Sequence, residues 1–346
     1  MRTFVDHTPR IAVVGYGRWG RQCHTYLINL TEGLELRCVV SSDAEKRKQA
    51  EHDRNCMTYE TFDQAINDPL VDAVVLATPS VTHVDLAVKA LNAGKHVLTD
   101  KIMCLDADEC KRMMAAAEAN HKLLTVFQNR RFDGDFLTVK WLMQNGALGD
   151  VSWIEQAWIG FGKWGGWRSS KVLGGGRIYD LGAHLIDQAL QFFPAPVESV
   201  YCRTHYDWPD ADIESEATII INFKNKKTAI VDLSSMSYID KPRYLVKGNN
   251  ATFVKYGLDP QENAMIAGDI DAAADAPKNY GILKNRKGEQ LIPTLPGRWR
   301  SYYENFRDAL IGAAEPVVSL DEELKLMQVV DAVHQSEKTG QAVFLS

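Results

Sequence analysis

Arg10-Ile11-Ala12-Val13-Val14-Gly15-Tyr16-Gly17-Arg18-Trp19-Gly20 runs a short apolar strand directly into three glycines at G-x-G-x-x-G spacing. Such a run reads as a dinucleotide's phosphate cradle. Gly15 permits the tight turn, Gly17 lets the backbone approach a pyrophosphate, and Gly20 lets the next helix pack closely, so the helix N-terminus faces the phosphates. Tyr16, Arg18 and Trp19, set between the glycines, are then cofactor-contact residues as well. The surroundings fit: Cys23 to Leu30 reads as the helix and Leu34 to Val40 as a second β-rich run, completing a βαβ unit of the expected length. A Gly-rich turn in some other α/β protein is the alternative.

The end of the second run bears on cofactor choice. About 20 residues past the glycines, where an NAD-binding fold places Asp or Glu on the ribose 2'-hydroxyl, stands Ser41, followed by Ser42-Asp43-Ala44-Glu45-Lys46-Arg47-Lys48. A carboxylate there would repel a 2'-phosphate, whereas Ser41, Ser42, Lys46 and Arg47 would donate hydrogen bonds and charge to one. NADP is therefore preferred over NAD, with NAD still possible. Against this, Asp43 is an acid, and Lys46, Arg47 and Lys48 could be a solvated helix face.

Further along, Val71 to Pro79 is a near-continuous apolar strand, Val81 to Asn92 an amphipathic helix, His96 to Asp100 a strand, Cys104 to Asn120 a helix and Leu123 to Phe127 a strand. Alternation of this kind specifies a Rossmann-type doubly wound parallel sheet over residues 1–127, with ligands at the carboxyl ends of its strands. From Gln128 the grammar changes. A helix from Asp135 to Asn145 leads to Val151–Ile159, and the runs Ala217–Phe223 with Thr228–Ser237, and Tyr244–Lys247 with Ala251–Tyr256, read as hairpins. Residues 128–346 are thus expected to form an α+β substrate-binding and oligomerisation domain with an open, largely antiparallel sheet. Its uncovered face implies a homodimer or homotetramer. Asp259 to Asn279 reads as a long loop or lid, and two helices, about Arg298 to Ile311 and Leu320 to Thr339, finish the chain.

At 346 residues, 45% hydrophobic and 24% charged, with a formal net charge of -6, the chain suits a two-domain globular protein. The acidic balance argues against nucleic acid or an anionic membrane as partner. Six cysteines scattered without C-x-x-C pairs fit a reducing compartment. Met1 to Arg10 lacks an apolar signal core, and no run approaches the ~18 residues of a membrane span. A cytoplasmic location is expected. Metal-ligand spacing and a G-x-S-x-G elbow are both missing from the sequence.

Three segments bear chemistry. Lys101, in Asp100-Lys101-Ile102 at the end of the strand from His96, could hydrogen-bond a reacting hydroxyl beside a nicotinamide, or be a surface lysine. In Gly174-Gly175-Gly176-Arg177-Ile178-Tyr179-Asp180-Leu181-Gly182-Ala183-His184-Leu185-Ile186-Asp187, a helix from Asp180 would put Asp180, His184 and Asp187 on one face. His184 would then be a general base flanked by carboxylates; alternatively Asp180 caps the helix and His184 is a satisfied core residue. In Gln128-Asn129-Arg130-Arg131-Phe132, the arginines could hold a phosphate or polar substrate, or salt-bridge the domains. Trp164, Trp167 and Arg168 could form a lid over a sugar or cyclitol ring, or fill the core.

Taken in order, Gly15-Tyr16-Gly17-Arg18-Trp19-Gly20, Thr78-Pro79-Ser80-Val81-Thr82-His83, Ala93-Gly94-Lys95-His96-Val97-Leu98-Thr99-Asp100-Lys101 and Asp180-Leu181-Gly182-Ala183-His184 resemble the glucose-fructose oxidoreductase / inositol dehydrogenase / rhizopine catabolism (Gfo/Idh/MocA) family over nearly the whole chain. Gln128 to Thr138, Trp167-Arg168 and Phe253 to Asp259 are similar to its branch of NADP-dependent scyllo-inositol dehydrogenases. The resemblance implies a two-domain enzyme that oxidises a secondary alcohol of a sugar or cyclitol, or reduces the ketone, with NAD(P). It implies cofactor contacts at Thr78, Pro79, His83, Asp100, Lys101, Asn129 and Arg131, and substrate contacts at Lys101, Trp167, Arg168, Asp180 and His184. Lys101 matches the lysine of the family's E-K-P motif, which holds the reacting oxygen; His184 matches the proton acceptor and Asp180 the acid of D-x-x-x-H. Here E-K-P is Asp100-Lys101-Ile102, the acid kept in kind and the proline, commonly cis in the family, replaced. Rival readings are a non-catalytic nucleotide-binding sensor on the same fold and a reductase of another keto-sugar or carbonyl compound.

Overall fold

Residues 2–345 are described by a computed structural model. They gather into two compact units: the chain up to Gln128 together with Trp299–Lys325, and Asn129–Arg298 together with the chain from Leu326 onward.

The first unit is built on six strands, β1 (Arg10–Val14), β2 (Glu35–Val40), β3 (Met57–Tyr59), β4 (Ala73–Leu76), β5 (His96–Thr99) and β6 (Leu124–Val126). Every pairing is parallel, in the order β3-β2-β1-β4-β5-β6, so the order reverses between β1 and β4. Ile11 to Val14 and Ala73 to Leu76 are buried, as strands covered on both faces must be. The helices are α1 (Thr25–Leu30), α2 (Ala44–Arg54), α3 (Phe62–Asn67), α4 (His83–Asn92) and α5 (Ala107–Ala119). The expected helix from Cys104 starts only at Ala107, because the Asp106 carboxylate caps it by accepting the Glu109 N–H at 2.8 Å. The helix expected from Cys23 is preceded by a π turn, Gly20–His24. Later in the chain, the helix Arg300–Leu310 belongs to this unit: the Tyr302 hydroxyl bonds the Val126 carbonyl at 2.5 Å, and the Tyr303 hydroxyl lies 2.7 Å from His24 Nδ1. Among the described residues no helix is long and apolar enough to cross a membrane.

Buried His96 illustrates how this sheet titrates. Its Nδ1 accepts the Leu123 N–H at 2.9 Å, and burial, with Lys122 and Arg2 adding to it, pulls the imidazole down to about 3. The unfolded chain therefore binds a proton on this residue that the folded chain refuses, and stability falls as pH drops from about 6.5 towards 3. Between pH 7 and pH 4.5 His96 is expected to withdraw about 2–3 kcal/mol. Urea unfolding at the two values should show a smaller loss in His96→Asn; an equal loss would contradict the assignment.

The second unit holds α6 (Gly134–Gln144), β7 (Val151–Ile159), a π turn (Ile178–Gly182) leading into α7 (Ala183–Phe192), β8 (Val197–His205), β9 (Glu216–Phe223), β10 (Thr228–Ser234), β11 (Tyr244–Gly248), β12 (Thr252–Lys255), α8 (Gln261–Ile266), β13 (Gly281–Asn285), β14 (Gly288–Ile292) and β15 (Val343–Phe344). Its sheet runs β14-β13-β12-β11-β7-β10-β9-β8-β15 and is antiparallel except for the β10–β7 pair. Ala229, Val231 and Leu233 are buried on one face. On the other, register aligns Ile220, Ile230, Glu155, Leu245, Val254 and Ile282 in one row, a largely apolar band only half covered. Asp259 to Asn279 is not a free lid. It contains α8, Asp259 accepts the Gly134 N–H at 2.7 Å, and Asp275 takes the buried Lys255 ammonium at 2.8 Å. A salt bridge with no solvent exposure on the lysine side anchors that segment to the sheet.

Candidate active site

In the first unit the glycine turn has the shape its spacing implies. Gly15 adopts φ +95°, and its N–H bonds the Val40 carbonyl. A Cβ on Gly15 would lie 2.6 Å from the Ala77 carbonyl oxygen, and one on Gly20 would lie 2.1 Å from that of Gly15. Gly17 differs: it is exposed, and a Cβ there meets nothing within 4 Å. That open backbone, at the switch point of the sheet and ahead of a helix, fits a pyrophosphate. Beside it, Trp19 Nε1 and the Tyr16 hydroxyl are buried without a hydrogen-bond partner.

At the end of β2, Asp43 faces inward to its own helix: Oδ1 accepts the N–H groups of Glu45 and Lys46 and caps α2. Arg47 donates to the carbonyls of Ser41 and Ser42 at 2.8 and 3.1 Å, which holds the two serines in place. Lys46 lies 3.7 Å from Asp43. The acid that ends this loop is thus occupied by backbone donors.

The ends of β4 and β5 are braced together. His83, completely buried, has one ring nitrogen 3.0 Å from the Thr78 carbonyl, beside Pro79, and the other 3.0 Å from that of Ile102. Burial pushes its imidazole below the ordinary range. The Asp100 carboxylate accepts the Lys101 N–H at 2.8 Å and lies 3.7 Å from His24 Nε2. Burial raises its carboxyl, but the His24 imidazole and the Lys101 charge outweigh that and keep it low. Lys101 follows at the carboxyl end of β5, half-buried, and the Lys101–Ile102 peptide is cis.

In the second unit Asp180 sits in the π turn and His184 in the first turn of α7. The helix is thus not regular from Asp180 as expected. A π turn inserts about one extra residue, which rotates the residues on its N-terminal side by roughly 100° relative to those on its C-terminal side. Asp187 lies past the turn, three residues on from His184 in the regular part of α7. It grips Arg131 through two bonds, at 2.6 and 2.9 Å, both side chains buried. Asp180 Oδ2 accepts from Arg168 Nε at 3.1 Å, and the Arg168 guanidinium lies 4.8 Å from the Trp167 ring. The His184 ring is stacked on Trp158, centroids 6.3 Å apart and planes at 24°. Arg130 and Arg243 approach Trp158 at 4.4 and 5.1 Å, so this tryptophan positions the histidine from within a basic shell. Asn129 is buried with neither atom of its amide paired. Sequence reasoning passed over Trp158 and Arg177: the first looked like any aromatic in a strand, the second like a spacer after three glycines.

A parallel nucleotide sheet with an open glycine turn, joined in one chain to an α+β unit bearing an acid–histidine turn, defines an NAD(P)-binding oxidoreductase. The family model "Oxidoreductase family, NAD-binding Rossmann fold" matches residues 9–128, and "GFO/IDH/MocA C-terminal domain" matches residues 136–254. The chain belongs to the Gfo/Idh/MocA family. It is 33% identical over 338 residues to the uncharacterized oxidoreductase YdgJ of Escherichia coli, covering 95% of this chain and 96% of that one. To the scyllo-inositol 2-dehydrogenase (NADP(+)) IolW of Bacillus subtilis it is 29% identical over 351 residues, covering 98% and 96%. The solved structure of YvaA from Bacillus subtilis superposes with a TM-score of 0.91 at 28% identity, covering 98% and 99% of the two chains.

Proposed function

We propose that the protein is an NADP-preferring dehydrogenase or reductase acting on a secondary alcohol or ketone of a cyclitol, sugar or related polyol. The observation that carries this is the presence of Lys101 at the end of β5 and of Asp180 and His184 at the head of α7, in a chain similar over nearly its whole length to an NADP-dependent scyllo-inositol 2-dehydrogenase. Gly15 to Gly20 would hold the pyrophosphate, and Ser41, Ser42, Lys46 and Arg47 the 2'-phosphate. Thr78, Pro79, His83, Asp100 and the unpaired amide of Asn129 would serve the nicotinamide side. When bound, the cofactor accepts or supplies a hydride. His184 takes the proton of the reacting hydroxyl and returns it in the reverse direction; Lys101 donates a hydrogen bond to the same oxygen and steadies its developing charge. Asp180 orients the substrate or the ring, and Trp167 and Arg168 frame the substrate.

The half-covered apolar band on the second sheet supports a homodimer or homotetramer formed through that face, and a cytoplasmic location belongs to the same reading. The deciding experiment follows reduced nicotinamide by absorbance, with NADP and NAD in parallel, against inositols, hexoses and sugar acids. NADP is expected to be favoured, and Ser41→Asp to weaken NADP by roughly ten- to a hundredfold while improving NAD. Equal use of both cofactors by the wild type would refute the NADP preference, and silence across the panel with cofactor bound would refute the enzyme reading.

A further inference from the structure

Within the second unit a cavity of about 360 Å³ opens beside the Asp180–His184 turn, walled by Trp158, Phe161 and Trp164, by Leu181, and by the cations Lys163 and Arg177. Its serines are engaged elsewhere, Ser234 with Glu216 and Ser235 with the Ser215 carbonyl. Among the described residues no acid lines it.

Arg177 is the unusual member. It is 3% exposed, and its guanidinium carbon lies 4.1 Å from the centre of the Trp164 ring. One weak bond, 3.4 Å from Nη2 to the Gly162 carbonyl, is its hydrogen bonding; Nε has no partner. Among the described residues no carboxylate comes within ion-pair distance of it. The other buried arginines here are each matched: Arg130 with Asp133, Arg131 with Asp187, Arg243 with Asp135. The acids nearest Arg177 in charge are committed, Glu214 to the Ile178 N–H at 2.6 Å and Asp180 to Arg168. Burial draws the guanidinium down to about 10, against the pull of Glu214 and Asp180, so it is still a cation at neutral pH. A buried cation without a counter-ion is a standing free-energy cost that an arriving anion relieves.

We infer that Arg177 receives an anionic group, a carboxylate, at the end of the substrate remote from the reacting carbon, so that the substrate is a hexose-sized sugar acid rather than a neutral cyclitol. This rests on the reading of the protein as a polyol oxidoreductase. The planar guanidinium fork matches a carboxylate bidentately, and the aromatic walls offer faces for the apolar side of a sugar. The volume is at the low end for ligand sites, about 300–1,000 Å³, which suits a monosaccharide.

The test compares D-gluconate and D-glucuronate with myo-inositol, D-glucose and glucose 6-phosphate in the wild type, Arg177→Gln and Arg177→Lys, by turnover with NADP(H) and, without cofactor, by quenching of tryptophan fluorescence. Thermal melting confirms that each variant is folded. The wild type should favour a sugar acid, and the ratio of kcat/KM for acid over neutral compound should fall roughly ten- to a hundredfold in Arg177→Gln, mainly through KM, with partial rescue in Arg177→Lys. An unchanged ratio, or neutral compounds bound as tightly as acids, overturns the inference while leaving the oxidoreductase reading intact. Arg177-dependent quenching by gluconate without any turnover upholds the anion site and removes the oxidoreductase reading. Preference for glucose 6-phosphate overturns the choice of carboxylate.

Discussion

In His184→Gln, kcat for polyol oxidation is expected to fall about a hundredfold to ten-thousandfold, with NADP affinity unchanged. The size reflects the loss of a positioned proton acceptor, since glutamine has no basic group at neutral pH. A purely structural role for the stacked ring on Trp158 would give a different pattern: lower thermal stability and a modest kcat change. The pH profile separates the two. If His184 accepts the proton, the acid limb of kcat against pH disappears in the variant; if it only packs, the limb stays. Lys101→Ala is expected to cost a comparable factor, about a hundred- to a thousandfold, through loss of charge at the reacting oxygen, and Lys101→Arg to recover part of it. Wild-type turnover in both alanine and glutamine variants would remove Lys101 and His184 from the chemistry.

Much of the nucleotide half could be read directly from the chain because its signals are local. Val13-Val14 running into Gly15, and Val74-Val75-Leu76 running into Thr78-Pro79, are buried strands ending in turns, and each lies where the pattern put it. Short elements without a long apolar period were missed: β3 has three residues and α3 six, the latter set by a Thr61–Gln64 capping box rather than by a hydrophobic stripe. β13 and β14 were missed because Lys284, Asn285, Glu289 and Gln290 make them polar and exposed. The π turns at Gly20–His24 and Ile178–Gly182 have no periodicity to announce them, which is why the helix expected from Asp180 is regular only from Ala183 onward. Partners distant in sequence were hidden for another reason. Arg131 and Asp187 stand 56 positions apart, and Tyr302 and Tyr303 show a buried helical face without showing that it covers β6 and His24.

Gly17→Ala and Gly20→Ala are expected to part ways, although the motif treats both as glycines of one signature. At Gly20 a methyl group would stand 2.1 Å from the Gly15 carbonyl oxygen and 3.1 Å from its carbon. Both atoms are backbone, held by the Gly15 N–H bond to Val40, so neither can move without opening the turn between β1 and its neighbours. Gly20→Ala should therefore lose about 1–3 kcal/mol of stability or more, as an overpacked core does, and lose NADP binding with it. At Gly17 the same methyl meets no atom within 4 Å and the residue is exposed. The fold should tolerate it within about 0.5 kcal/mol, as for other surface changes. Yet this is the one position of the turn where added bulk projects into space that the protein itself leaves open. If a pyrophosphate approaches the backbone there, the methyl pushes it off the helix N–H groups, and the Kd for NADP should rise roughly ten- to a hundredfold. Calorimetric unfolding and cofactor titration on the two variants measure both quantities. Gly17→Ala binding NADP as the wild type does would show that the open space at Gly17 serves something other than the phosphates, whereas weakened binding on an undamaged fold is an outcome that steric damage alone cannot produce.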